Sequence, residues 1–155
     1  AAGCYGLLTL VFRGIGRHGG PSGELTRVRL TLGERQVELT GLVDTGNTLT
    51  DPATGRPVLV AEADSLEDLL PPGLRPGPAE LRDPAGVLER LEDGPWRLRF
   101  RLLPYRAVGV ERGLLLALRM DRVQVGEEDR GPMLAALSPT PVSDGGAYRV
   151  LVGAE

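Results

Sequence analysis

The chain has 155 residues, 41% hydrophobic and 25% charged, which suits one globular domain with a substantial core. Its 18 Lys+Arg residues are all arginine, and the 21 Asp and Glu residues bring the formal net charge to -3, so no general electrostatic reason to bind nucleic acid exists. Cys4 and His18 are single examples of their types, which excludes a zinc cluster built from Cys and His. Nothing in the sequence calls for a cofactor. The absence of lysine fits a GC-rich coding bias, which also favours Ala, Gly and Pro.

The chain does not begin with methionine and is expected to be an excerpt or a processed product. Ala1 to Phe12 is apolar but shorter than the roughly 20 residues that a membrane-spanning helix needs. Cys4 to Phe12 fits either the end of a membrane span or the first strand of a barrel. The glycine-rich stretch from Arg13 to Gly23 reads as a linker, which separates residues 1-23 from a domain over 24-155. Gly14-Ile15-Gly16-Arg17-His18-Gly19 is a literal G-x-G-x-x-G, but a dinucleotide site needs a helix directly after it, whose amides hold the pyrophosphate. Gly20-Pro21-Ser22-Gly23 and a strand follow instead, so that reading is rejected. A Cys4-His18 nucleophilic pair has no scaffold around it, and an inert Cys with an exposed His is the simpler account.

Leu25 to Leu32 alternates, with Val28, Leu30 and Leu32 on one face and Arg27, Arg29 and Thr31 on the other. Gly33-Glu34-Arg35 turns the chain, and Val37, Leu39, Gly41 and Val43 repeat the period on a returning strand. This hairpin delivers Asp44-Thr45-Gly46-Asn47 to a loop. A carboxylate backed by an apolar strand, a small hydroxyl to tie the loop down and a glycine that admits close backbone approach are what the active-site loop of an aspartic protease requires. Asp51 belongs to a turn over Asp51-Pro52-Ala53-Thr54-Gly55, which accounts for it without a role as second carboxylate.

Pro57 to Ala61 reads as a buried strand. Asp64-Ser65-Leu66-Glu67 has the spacing of a capping box opening a short helix through Leu70. Pro71 to Gly86 is dense in Pro and Gly and predicts a mobile loop, with one or two helical turns over Val87 to Asp93. Trp96 to Leu102 predicts a strand with Trp96, Leu98, Phe100 and Leu102 on one face. Arg97, Arg99 and Arg101 fall on the other, either as a solvated face paired with nearby acids or as a contact for acidic lipid or substrate. A hairpin with its turn at Glu111-Arg112-Gly113 leads into a buried strand over Leu114 to Leu118, ended by Met120-Asp121. Val123 to Val125 and Tyr148 to Val152 complete the predicted strands.

Strand, turn, strand and then Leu42-Val43-Asp44-Thr45-Gly46 resembles the first half of a retropepsin, the single-lobed aspartic protease that works as a dimer. Gly41 to Val58, with its Asp-Thr-Gly-Asn core and the Asp51-Pro52 turn leading to Pro57-Val58, is similar to the sporulation sigma-E factor-processing peptidases of endospore-forming bacteria. Pro104-Tyr105-Arg106-Ala107-Val108-Gly109 resembles that family's second signature and the hydrophobic-hydrophobic-Gly element that packs beside the catalytic loop of aspartic proteases. Arg106 sits inside that signature, where it serves the dimer, the substrate or a structural ion pair.

The resemblance implies an all-β, retropepsin-like single-lobe barrel with one or two short helices, forming a two-fold homodimer. Asp44 from each protomer would supply the dyad, because the chain holds no second Asp-Thr-Gly. Two such carboxylates about 3 Å apart share a proton and activate water, as in aspartic proteases generally. Thr45, Gly46 and Asn47 would shape the loop, and the last strand would interleave between subunits. A flap is expected between Val58 and Trp96, although no compact glycine-tipped hairpin is evident there. The implied substrate is the sigma-E factor precursor, whose N-terminal pro-segment is removed at the membrane on the mother-cell cytoplasmic side. A secreted forespore signalling protein is the implied activator, and an N-terminal membrane domain outside this chain is the implied anchor. The alternatives are a retropepsin-like protease with another substrate, or a non-catalytic dimerisation module of the same fold.

Overall fold

The alternating run that opens the domain becomes a hairpin: β1 (Gly23–Leu32) pairs antiparallel with β2 (Arg35–Asp44) from Gly23↔Asp44 to Leu32↔Arg35. Gly33 sits at φ 62 in the turn, a backbone region that glycine enters without a Cβ penalty. The computed structural model describes residues 23–44, 49–91, 94–107, 110–143 and 145–153. Within them lie β3 (Leu59–Glu62), β4 (Phe100–Ala107), β5 (Val110–Val125), β6 (Glu128–Ser138) and β7 (Val150–Val152). The apolar segment Cys4 to Phe12 and the glycine-rich run after it fall outside the described residues.

The sheet runs β1-β2-β7-β3-β6-β5-β4, and β1 also pairs with β5 between Val28↔Val125 and Thr31↔Arg122. That second pairing closes β1, β2, β7, β3, β6 and β5 into a barrel and leaves β4 attached to β5. The pairs β2–β7 and β3–β6 are parallel, and the others are antiparallel. The architecture is therefore the expected all-β single lobe, with few and short helices. Leu30, Leu59, Phe100, Leu118, Met120 and Leu137 fill the interior. A second apolar layer on the outer face contains Leu42, Val60, Leu103, Ala117, Leu134 and Leu151, so β3 and the end of β6 are buried on both faces.

Several local expectations give way to tertiary packing. Pro95 to Arg99 is a 3-10 turn, and the strand begins only at Phe100. Proline fixes φ and is tolerated in the first helical turn, and three residues per turn replace the period of two. Leu98 is consequently 82% exposed, while Phe100 is buried. The Pro71 to Gly86 stretch contains helical structure: a 3-10 turn Pro72–Leu74, α1 (Pro78–Leu81) and the start of α2 (Pro84–Leu91). Its prolines open helices instead of breaking them. Asp83 Oδ1 accepts from Gly86 N at 3.3 Å over the first turn of α2, and Val87 and Leu88 enter the core. Ala63–Leu69 is a 3-10 helix without the expected capping box, because it begins at Ala63 and takes Asp64 into its first turn; Ser65 Oγ donates to Glu62 O at 2.6 Å.

The turn expected at Glu111 to Gly113 is strand. Ala107 pairs with Val110 and Gly113 with Tyr105, so Val110 to Gly113 belong to the strand and not to a turn. A Cβ on Gly113 would lie 2.3 Å from Tyr105 Cζ; glycine is there because the ring packs across it. β5 then continues past Met120-Asp121 without a break. β6 forms although Gly131 and Pro132 interrupt the strand pattern of its sequence; Gly131 adopts φ 70 where the β5–β6 register shifts.

Asp121 fastens the β1–β2 turn to the start of β4. Its carboxylate accepts from Arg99 Nη1 at 2.8 Å and from Gly33 N at 2.7 Å. The Arg99 hydrogen bond first, and the Gly33 N–H next, hold its pKa below the usual carboxylate value. A folded pKa lower than the unfolded one stabilises above about pH 4, and the gain disappears as pH falls through the folded value. The side chain is 45% exposed, so screening keeps the gain small. Asp121→Asn should lower the urea midpoint near neutral pH, and the difference from wild type should vanish in acid. A difference independent of pH would contradict this account.

Candidate active site

Asp44 is the last residue of β2 and is 2% exposed. Gly23 faces it from β1, and one residue earlier Val43 pairs with Val152 of β7. A buried carboxylate is costly unless its surroundings or its chemistry compensate, so its place at the lip of an apolar barrel is informative. Gly41 lets the strand fit there. A Cβ on it would come 2.5 Å from Val28 Cγ2, a fully buried and rotationally stiff group. Thr45, Gly46 and Asn47 lie outside the described residues.

The chain re-enters at Leu49 in a small hairpin. Val58 N donates to Leu49 O and Asp51 N to Arg56 O, both at 2.9 Å, with Gly55 at φ 74 in the turn. Asp51 is the turn residue that the sequence indicates: Oδ1 accepts from Ala53 N at 2.9 Å and Oδ2 from Thr54 Oγ1 at 3.2 Å. Those bonds account for its burial. In the interval expected to hold a flap, the described residues form β3, 3-10 turns and two short helices.

Arg106 and Ala107 lie on β4, whose pairing among the described residues is with β5 alone, at the other end of the strand order from β2. Val108 and Gly109 lie outside the described residues. The strand hydrogen-bonded beside the Asp44 segment is instead β7, where Gly41, Leu42 and Val43 pair with Val150, Leu151 and Val152. Leu151-Val152-Gly153 is itself a hydrophobic-hydrophobic-Gly run, so the signal was present at a second place in the sequence. Two runs in the sequence match that short pattern, and of these the one on β7 lies beside the Asp44 strand.

Arg130 supports this neighbour. Its side chain is 10% exposed, Nη1 donates to Gly153 O at 2.7 Å, and Nε pairs with Glu128. Arg56 Nη2 in turn donates to Arg130 O at 3.1 Å, linking the Leu49–Val58 hairpin to β6 and β7. Nothing in the local sequence around Arg130 marks it, since its partner lies 23 residues away. Glu62, another buried carboxylate, serves the far end of β3. It accepts from Val142 N at 3.2 Å and pairs with Arg149 Nε at 3.4 Å. Among the described residues no group of three His, Cys, Asp or Glu side chains could hold a metal ion, and no helix is long and apolar enough to cross a membrane.

The described residues thus close a β-barrel with a buried aspartate at the end of one strand. Residues 1–155 match the Peptidase U4 profile, described as sporulation factor SpoIIGA, and the chain belongs to that family. It is 35% identical over 133 residues to a Bacillus thuringiensis subsp. kurstaki protein provisionally named a sporulation sigma factor-processing peptidase, covering 83% of this chain and 81% of that one. It is 35% identical over 135 residues to the sporulation sigma-E factor-processing peptidase of Priestia megaterium and 31% identical over 139 residues to that of Bacillus subtilis. Each match covers 83% of this chain, which spans only 43% of the length of either relative. No solved structure matches the chain significantly.

Replacing Arg130 with methionine keeps the bulk and removes the bonds to Gly153 and Glu128. A hydrogen bond from a charged group is worth roughly 1.5–3 kcal/mol, and the variant should lose about that much unfolding free energy in urea. Amide hydrogen exchange at Val43 and Val152 should quicken. Unchanged exchange there would show that Arg130 does not hold β7 against β2.

Proposed function

We propose that this chain is the protease portion of an aspartic endopeptidase that removes the N-terminal pro-segment of the sporulation sigma-E factor precursor. The observation that carries the reading is Asp44: a buried carboxylate ends an apolar strand and enters the Thr45-Gly46-Asn47 loop, in a member of a sporulation peptidase family. The printed names of the Priestia and Bacillus relatives supply the substrate.

The catalytic pair comes from two protomers, since the sequence has one Asp-Thr-Gly. With two Asp44 carboxylates in proximity, one ionises and the other keeps its proton. The ionised member takes a proton from a bound water, and its partner donates to the scissile carbonyl oxygen as the water attacks. The tetrahedral intermediate then collapses with a proton delivered to the leaving amine, and no covalent enzyme intermediate forms. Thr45 ties the loop, and Gly46 admits the substrate backbone. In this proposal the protein works at the membrane through a domain outside this chain, with its protease portion on the mother-cell side, and a secreted forespore signalling protein activates it.

Cleavage of the precursor should be abolished by Asp44→Asn in the full-length protein at matched expression, with the dimer still folded. The wild-type rate per subunit should fall when the protein is diluted below its dimer dissociation constant. Full processing by the variant would sink the role of Asp44 and favour a non-catalytic module, whereas a rate per subunit constant through dissociation would sink the shared dyad alone.

A further inference from the structure

Many of the arginines among the described residues form ion pairs. Arg27 and Arg29 pair with Glu38, Arg99 with Asp121, Arg122 with Asp129, and Arg149 with Glu62 and Asp64. Arg101 and Arg119 depart from that habit. They make no ion pair or hydrogen bond among the described residues, although Arg119 lowers the Asp121 pKa through its field.

Both project from the outer face of the sheet. Arg101 shares its side of β4 with Leu103, and Arg119 its side of β5 with Ala117. Because Arg101 pairs with Ala117, Arg119 is its diagonal neighbour. Two cations so placed repel each other unless an anion joins them. They line a recess of about 130 Å³ between the sheet and the hairpin that follows the Asp44 loop. Arg56 lines the hairpin side, and Leu134, which pairs with Arg119 and belongs to the outer apolar layer, supplies an apolar floor. The one carboxylate in the lining, Asp51, already accepts from Ala53 N and Thr54 Oγ1. Arg35 and Arg97 also lack ion pairs among the described residues, but neither lines this recess.

We infer that this recess is a docking site for an acidic peptide segment, with a Glu or Asp side chain held between Arg101 and Arg119 and an adjacent aliphatic residue against Leu134. Planar guanidiniums bind carboxylates through paired hydrogen bonds, and the apolar floor adds contact area that a simple ion could not use. A flat bilayer surface could not enter a recess walled by the hairpin, so peptide is favoured over lipid. Only the source of the peptide, the substrate, rests on the peptidase reading; binding itself does not.

The test uses the Asp44→Asn protein, so turnover cannot intervene. Fluorescence anisotropy would follow a labelled peptide with glutamates interspersed among leucine and glycine, and its lysine counterpart. The glutamate peptide should bind at low salt and weaken as salt rises. Arg101→Glu combined with Arg119→Glu should weaken it by at least roughly tenfold, and the lysine peptide should then bind better than the glutamate one. Arg101→Gln with Arg119→Gln, which removes the charge without reversing it, should also lose the glutamate peptide. Equal affinity of parent and variants would overturn the inference, as would binding to phosphatidylglycerol vesicles with none to the peptide. Arginine-dependent self-association in place of peptide binding would overturn it too. None of these outcomes bears on the catalytic role of Asp44.

Discussion

Closure of the barrel rests on β7, three residues long and paired along both edges. Val150, Leu151 and Val152 meet Gly41, Leu42 and Val43 on one side, and Val150 and Leu151 meet Ala61 and Val60 on the other. Without it the β1–β2 hairpin would be joined to the rest of the sheet only through the β1–β5 pairing, and β2 would present an open edge next to Asp44. The residue before β7 extends the clasp: Arg149 N donates to Thr40 O at 2.9 Å, and Glu62 N donates to Arg149 O at 3.0 Å. The orientation of the candidate catalytic strand is thus set by the far end of the chain. This is a contact of long sequence separation, and chain entropy makes such contacts slow to form.

That dependence explains what could be read from the sequence. The β1–β2 hairpin was legible because one face is apolar and one polar over ten residues, with glycine in the turn. β3 was legible as an uninterrupted apolar run. Trp96 to Leu102 carries an equally clean alternation, yet only its last residues become strand, because Pro95 and the demand to bury Phe100 decide the local backbone. β6 failed in the opposite direction. Gly131 and Pro132 look like breakers, but a register shift against β5 accommodates them. Of the candidate site, Asp44 was legible from its strand and triplet. Its β7 neighbour was not, since Leu151-Val152-Gly153 shares its short pattern with Ala107-Val108-Gly109 and nothing local in the sequence sets the one apart from the other.

The three buried acids Asp44, Asp51 and Glu62 differ in kind. Asp51 shapes a turn through two local donors, and Glu62 joins β3 to Val142 and Arg149. Both are explained by the structure they hold. Asp44 differs by position, at the end of a strand and at the entry to the loop on which the proposed chemistry depends.

Charge is distributed along the same line. The far end of β3 carries Glu62, Asp64 and Glu67 around one recess, while Arg56, Arg101 and Arg119 line the recess beside the hairpin that follows the Asp44 loop. A chain with a net charge of -3 thereby gathers three guanidiniums around one recess. A field confined in this way steers an acidic segment toward one surface and raises its rate of encounter more than its final affinity. If the peptide proposed for that recess belongs to the substrate, its neighbouring residues are held to this protein with their freedom already restricted. Restriction of that kind lowers the entropic cost of aligning a scissile bond.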